Sequence, residues 1–234
     1  MTKKKFEYTG VDNLEVMSEA HNYNNYLIEI VQNAQKLIKK DKPKILDFGA
    51  GSGTYTDMLK EKGITAECLE PDSKLQGVLK KKGYKVYGDV SELKPESYDL
   101  IYALNVFEHI KNDEQVVKKL KKVLRPGGRL VIYVPAFQLL FTSMDEKVGH
   151  YRRYRKSMLS DYAHTANLNV EKLYYCDPIG FSAALAYRIF GNKEGNISPT
   201  SVKYYDRFAF PLSKVIQPLT RSFVGKNVLL VAVK

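Results

Sequence analysis

Leu46-Asp-Phe-Gly-Ala-Gly-Ser-Gly-Thr-Tyr55 places a carboxylate and three alternating glycines between an apolar strand end and the start of a helix. Upstream, Lys44-Ile-Leu46 follows Pro43 and reads as the close of a first strand; downstream, Tyr55–Glu61 reads as a helix. Strand, glycine turn and helix are the context a nucleotide-type cofactor loop requires. Gly49, Gly51 and Gly53 let the backbone turn sharply and leave no side chain between it and a ligand. A dinucleotide fingerprint, G-x-G-x-x-G, needs its last glycine where this chain has Thr54. Asp47 would repel a pyrophosphate at the loop mouth and suit a cationic ligand.

This stretch resembles the first motif, D/E-x-G-x-G-x-G, of the class I S-adenosylmethionine-dependent methyltransferases. The resemblance implies an α/β fold with a Rossmann-like seven-stranded, mostly parallel sheet and helices on both faces. It also implies S-adenosylmethionine as cofactor and S-adenosylhomocysteine as product. Glu70 ends the apparent strand Ile64–Leu69, where an acid in such a unit takes the ribose hydroxyls. Gly88-Asp89-Val90 closes a third strand, Lys85–Tyr87, and by resemblance Asp89 accepts a hydrogen bond from the adenine amino group. Tyr98–Asn105 reads as the fourth strand, and Leu124–Val131 matches the turn that enters the fifth. The expected cofactor set is Asp47, Gly49, Ala50, Gly51, Gly53, Glu70, Pro71, Asp89, Val90 and Asn105. A nicotinamide dehydrogenase would share the architecture and could use Glu70 on a ribose, but the glycine spacing and Asp47 disfavour it.

At 234 residues the chain can bury one sizeable core, so residues 1–234 are expected to form a single domain. No apolar run reaches the length needed to cross a bilayer, and Met1–Lys5 is not followed by a signal-peptide core. A soluble, cytoplasmic protein is therefore expected. Cys68 and Cys176 lack metal-type spacing and read as core residues, with no metal expected. The net charge of +11 could attract nucleic acid or an anionic membrane. In Asp113–Leu124, however, the apolar positions share one helical face and the lysines occupy the other, which reads as a solvated surface. Nucleic acid is thus an unlikely partner; a small-molecule acceptor is the expected one, and a homodimer is compatible with the sequence.

Residues 1–41 form a leading segment whose apolar stripe from Tyr26 to Ile38 marks an amphipathic helix. Asn22-Tyr23-Asn24 at its start could touch the cofactor or cap the helix. After the fifth strand, Arg129–Val134, two insertions depart from the standard plan: 135–156, and 177–226 after a sixth strand, Val170–Tyr175. Within the second, Phe181–Phe190 and Tyr204–Leu219 read as helices. Asn227–Lys234 has a buried-strand pattern, so the chain returns to the sheet and both insertions are expected to form a helical cap over the strands' carboxyl ends.

Methyl transfer from a sulfonium is a direct displacement, which asks the protein to align a nucleophile and accept its proton. Asn105-Val-Phe-Glu-His-Ile110 follows the fourth strand and resembles the E-x-x-E-H segment of ubiquinone-pathway O-methyltransferases, where carboxylates and histidine are associated with a divalent cation. Here Asn105 replaces the first acid, which weakens a metal inference. Glu108, His109 and His150 are the candidate catalytic residues. Phe141, Tyr151, Arg152 and Arg153 are candidate acceptor contacts; the arginines suit a carboxylate or phosphate, or else anchor Asp145 or Glu146. Phe137, Tyr154, Phe181 and Tyr187 would add an apolar wall. The resulting expectation is methylation of a small molecule, most simply on oxygen, the acceptor being aromatic, lipid-linked or sugar-derived. The alternatives are an RNA-binding or RNA-modifying methyltransferase and a non-catalytic cofactor-binding partner subunit.

Overall fold

The computed structural model describes residues 19–190 and 198–234, so the expectations for Met1–Lys5 and for the start of the leading segment lie outside the described residues. Seven strands form one sheet: β1 Ile45–Phe48, β2 Ala66–Leu69, β3 Val86–Tyr87, β4 Tyr98–Leu104, β5 Leu124–Pro135, β6 Asn169–Cys176 and β7 Asn227–Val233. Their order is β3-β2-β1-β4-β5-β7-β6. β1 to β5 run parallel, and β7 lies antiparallel between β5 and β6, pairing Val131 with Val231 and Leu173 with Leu230.

Every residue of β1 and β4 is buried, as strands covered on both faces must be. Alternation sorts them into two cores. Leu46, Ile101, Ile132 and Leu230 pack with Val117 and Leu120 of α4 (Asp113–Val123) and Leu159 of α6 (Lys156–Thr165). On the other face, Ile45, Leu100, Val131 and Leu229 pack with Leu27, Ile28 and Val31 of α1 (His21–Lys36). Lys118, Lys119 and Lys122 of α4 are exposed, in keeping with a solvated face. Cys68 and Cys176 are buried, unpaired core residues.

The order reverses between β1 and β4, and a crevice opens there at the strands' carboxyl ends. The elements around it are α2 (Thr54–Glu61), α3 (Ser73–Lys81), α5 (Ser143–Lys147) in the first insertion, and α7 (Pro178–Phe190), α8 (Pro199–Tyr204) and α9 (Phe210–Thr220) in the second. A π-helical turn, Tyr205–Ala209, joins α8 to α9 where the sequence suggested one continuous helix.

Two buried carboxylates tie this second insertion down. Asp206 accepts the backbone N–H groups of Asn22 (2.9 Å) and Tyr23 (2.8 Å), filling the donors at the start of α1. Asp177 Oδ1 accepts from Gly180 N (2.9 Å), Ser213 Oγ (2.7 Å) and the Tyr205 hydroxyl. Gly180 is obligatory there, since a Cβ would lie 2.0 Å from Asp177 Oδ2. Among the described residues, no helix is long and apolar enough to cross a membrane. Asp206→Ala removes both bonds at the α1 terminus and should lower the unfolding free energy by about 1–2 kcal/mol in a urea titration. An unchanged midpoint would show that α1 does not depend on this tether.

Candidate functional site

The first glycine is fixed by steric contact as much as by its dihedral. Gly49 has φ +79°, and a Cβ on it would lie 2.5 Å from Val106 Cγ1. Its N–H and that of Ala50 donate to Leu69 O at the end of β2 (2.8 and 3.1 Å). Glu70 completes the clamp, with Oε2 accepting from Gly51 N (2.9 Å) and Oε1 from Asp72 N (2.8 Å). Burial raises the Glu70 pKa, and the Asp72 and Gly51 amides oppose that rise. Asp72, which the sequence reading passed over, caps α3 by accepting from Lys74 N (2.8 Å) and Leu75 N (3.1 Å).

The loop opens on a cavity of about 840 Å3. Gly49, Ala50, Gly51, Glu70, Pro71, Asp89, Val90 and Asn105 all line it. Asp89 also caps the short 3-10 turn Val90–Glu92, accepting from Ser91 N (2.9 Å). Asn105 sits at φ +55° just past β4 and reaches the Tyr23 hydroxyl (3.4 Å), so the leading helix contributes a ring to the wall.

Two of the expected cofactor residues lie elsewhere. Asp47 does not line the cavity. It is buried beneath the loop, accepts from Thr56 Oγ1 (2.6 Å) in α2, and has its pKa pushed up by burial to about 6. Asp47 thereby anchors β1 to α2. Gly53 is also outside the lining; at φ +90° it is the residue from which α2 starts.

Glu108, His109 and His150 come together on the cavity wall although forty residues of sequence separate the last two. The His109 and His150 rings meet edge to face at 4.6 Å. His150 Nδ1 lies 2.7 Å from Asp145 Oδ1, and its Nε2 lies 3.9 Å from Glu108 Oε1. Burial would raise the Asp145 pKa, but bonds from His150 and Arg153 outweigh it and hold the carboxyl at about 2. An ionised Asp145 orients the His150 ring through Nδ1 and turns Nε2 toward Glu108. Burial pushes Glu108 up to about 7 and His109 down to about 4.

Glu108, His109 and His150 each offer a ligand atom, all within 4.8 Å of one another. One carboxylate and two imidazoles are a donor set of the kind that holds a divalent metal, although the sequence pattern suggested none.

The arginines serve the wall rather than the open space. Arg153 is buried and grips Asp145 through Nε (2.9 Å) and Nη2 (2.8 Å), which realises the anchoring alternative; its edge still lines the cavity. Arg152 is outside the lining and binds Asp113 Oδ1 (2.6 Å) and Lys111 O (2.8 Å). Phe141 is outside as well, whereas Tyr151 lines the mouth and is 55% exposed. Phe137, Tyr154 and Phe181 are not on the wall: Tyr154 is buried on Asp113 (2.6 Å), and Phe137 stacks on Tyr175 at 4.5 Å. Tyr187 does line it, with Tyr55 and Tyr205.

Lys226 is a cavity residue with no local signal in the sequence. It precedes β7, its amino group lies 5.8 Å from the Tyr23 ring, and burial lowers its pKa.

A family model described as methyltransferase domain matches residues 5–173. The chain belongs to this methyltransferase family, and its architecture is that of the S-adenosylmethionine-dependent members. An uncharacterized methyltransferase of Oceanobacillus iheyensis is 31% identical over 116 residues, covering 47% of this chain and 51% of that protein. The chain thus spans about half the length of that relative. The ubiquinone biosynthesis O-methyltransferase of Dechloromonas aromatica is 23% identical over 210 residues, covering 80% of this chain and 85% of that one. A SAM-dependent methyltransferase structure from Archaeoglobus fulgidus superposes with a TM-score of 0.58 at 14% identity, covering 90% of this chain and 94% of the other.

Asp145→Ala strands the buried Arg153 charge and should cost about 3–5 kcal/mol in denaturant unfolding. Because its folded pKa is depressed, the stability Asp145 supplies is present above its unfolded value near 3.8 and is lost as pH falls toward 2. The difference between wild type and Asp145→Ala should therefore shrink as the pH is lowered below about 4. A constant difference would contradict the ion-pair account.

Proposed function

We propose that this protein transfers a methyl group from S-adenosylmethionine to a hydroxyl oxygen of a small-molecule acceptor. The observation that carries the reading is one cavity holding both the Gly49–Gly51 loop with Glu70 and the Glu108–His150–Asp145 cluster. The family and the fold support methyl transfer, and the similarity to a ubiquinone biosynthesis O-methyltransferase supports oxygen as the accepting atom.

The residues fit the cofactor by their chemistry. The glycines give a ligand direct access to the backbone, the Glu70 carboxylate suits a ribose diol, and Asp89 can accept from an adenine amino group. Beneath them Asp47 and Thr56 hold the loop to α2. When bound, the cofactor supplies an electrophilic methyl carbon on a positively charged sulfur.

This chain's task is then to orient the acceptor hydroxyl and remove its proton. His150 Nε2 accepts that proton. Asp145 orients the ring and stabilises the imidazolium, Arg153 holds Asp145, and ionised Glu108 adds a second negative charge beside the ring. The Tyr23, Tyr55, Tyr187 and Tyr205 side chains favour an apolar or ring-bearing acceptor, and the Lys226 ammonium favours one that also carries an acidic group.

Glu70→Gln should weaken S-adenosylhomocysteine binding by at least about 10-fold in calorimetry, and equal affinity would remove Glu70 from the cofactor site. His150→Ala should keep that affinity while turnover falls by about 10²–10⁴-fold, scored by S-adenosylhomocysteine release against a panel of hydroxylated aromatics and lipid precursors. Full turnover would exclude His150 as the base.

Because Glu108 assists only when ionised, kcat/KM should rise with pH through about 7, and that step should vanish in Glu108→Gln. A step retained by the variant would assign it to another group. Tight RNA binding with a steep salt dependence would instead support the RNA-modifying alternative.

A further inference from the structure

The rod made by α8, the π turn and α9 is apolar on two sides. Its inward face buries Phe210 against Tyr23 and Tyr26 and carries polar anchors as well: Asp206 binds the start of α1, Ser213 binds Asp177, and Gln217 Nε2 donates to the Tyr26 hydroxyl (2.9 Å). Its outward face carries Tyr204, Phe208, Leu212, Val215, Leu219 and Phe223, spaced three or four residues apart and each between 53% and 83% exposed. Ile189 and Phe190 end α7, which packs against α9, and they are 63% and 85% exposed. A helix on a water-facing surface places its charged residues outward. A continuous apolar stripe there marks a face that is covered by something else.

Charge identifies the covering. Residues 198–223 contain Lys203, Arg207, Lys214 and Arg221 but a single acid, the buried Asp206. Lys203 and Lys214 pair with Glu19 and Glu29, whereas Arg207 and Arg221 have no carboxylate partner among the described residues. A two-fold pairing with another copy would bring two patches of the same positive charge together. An anionic lipid surface instead meets the stripe with hydrocarbon and the arginines with headgroup charge.

We infer that the outward face of α8–α9 docks this protein on anionic membrane surfaces, with the stripe inserted at the headgroup boundary and Arg207 and Arg221 on lipid phosphates. The inference goes beyond the methyl-transfer reading and does not require it. It bears on that reading because Ser201, Val202 and Tyr205, on the inner side of the same rod, line the cavity. A docked cap would hold the cavity about one helix diameter, roughly 10 Å, from the bilayer, where an amphiphilic acceptor resides.

The test is sedimentation of the full chain with vesicles of phosphatidylcholine alone and of phosphatidylcholine with about 30 mol% phosphatidylglycerol, at low and high salt. Wild type should sediment with the anionic vesicles and be released by salt. Phe208→Ser combined with Leu219→Ser should weaken that binding by at least about 10-fold, and Arg207→Gln with Arg221→Gln by a smaller factor. The four positions lie outside the cavity wall, so S-adenosylhomocysteine affinity, which reports the cofactor reading separately, should stay unchanged in both variants. Absence of wild-type binding, or equal binding by the serine variant, would overturn the inference. So would a wild-type dimer in light scattering that the serine substitutions dissolve, which would assign the stripe to a second copy.

Discussion

The candidate site depends on one close approach: Val106, just past β4, occupies the space that any side chain on Gly49 would need. That contact brings the ends of β1 and β4 together at the point where the sheet order reverses. Glu70 then closes the arrangement by accepting the Gly51 amide, so the carboxyl ends of β1, β2 and β4 share one bonded frame. The Gly49–Gly51 loop and the Glu108–His150 cluster face the same cavity because Asn105 to His109 continue directly from that frame.

Most of the sheet was legible because its signals are local. Continuous apolar runs mark β4, β5 and β7 as buried strands, and the glycine spacing marks the turn after β1. The apolar run from Asn227 marks the chain's return to the sheet, and β7 takes that place between β5 and β6. The lysines of α4 could be assigned to a solvated face because helical periodicity is also a local property.

Side-chain direction was less accessible. Asp47 reads as a residue of the loop mouth, yet the strand pleat turns it under α2, where Thr56 meets it. Arg152 and Arg153 look equivalent in sequence, but neighbouring side chains diverge, one toward Asp113 and the other toward Asp145. Lys226 carries no local signal at all, since only the return of the chain to β7 brings it to the cavity. The cap helix misleads in a different way: it has apolar residues on two sides, and the buried one is where Phe210 meets Tyr23 and Tyr26 while Asp206, Ser213 and Gln217 find polar partners. Composition can reveal such a stripe without revealing which way it faces.

If the Gly49–Gly51 bend and Glu70 form an adenosyl-cofactor seat continuous with the His150 pocket, a crystal grown with equal concentrations of S-adenosylhomocysteine and NAD should hold the adenosyl compound alone, with its ribose on Glu70, its adenine beside Asp89 and its sulfur toward Asn105 and the Glu108–His150 wall. A nicotinamide dinucleotide on the loop, or an adenosyl group bound anywhere else, would rule that seat out.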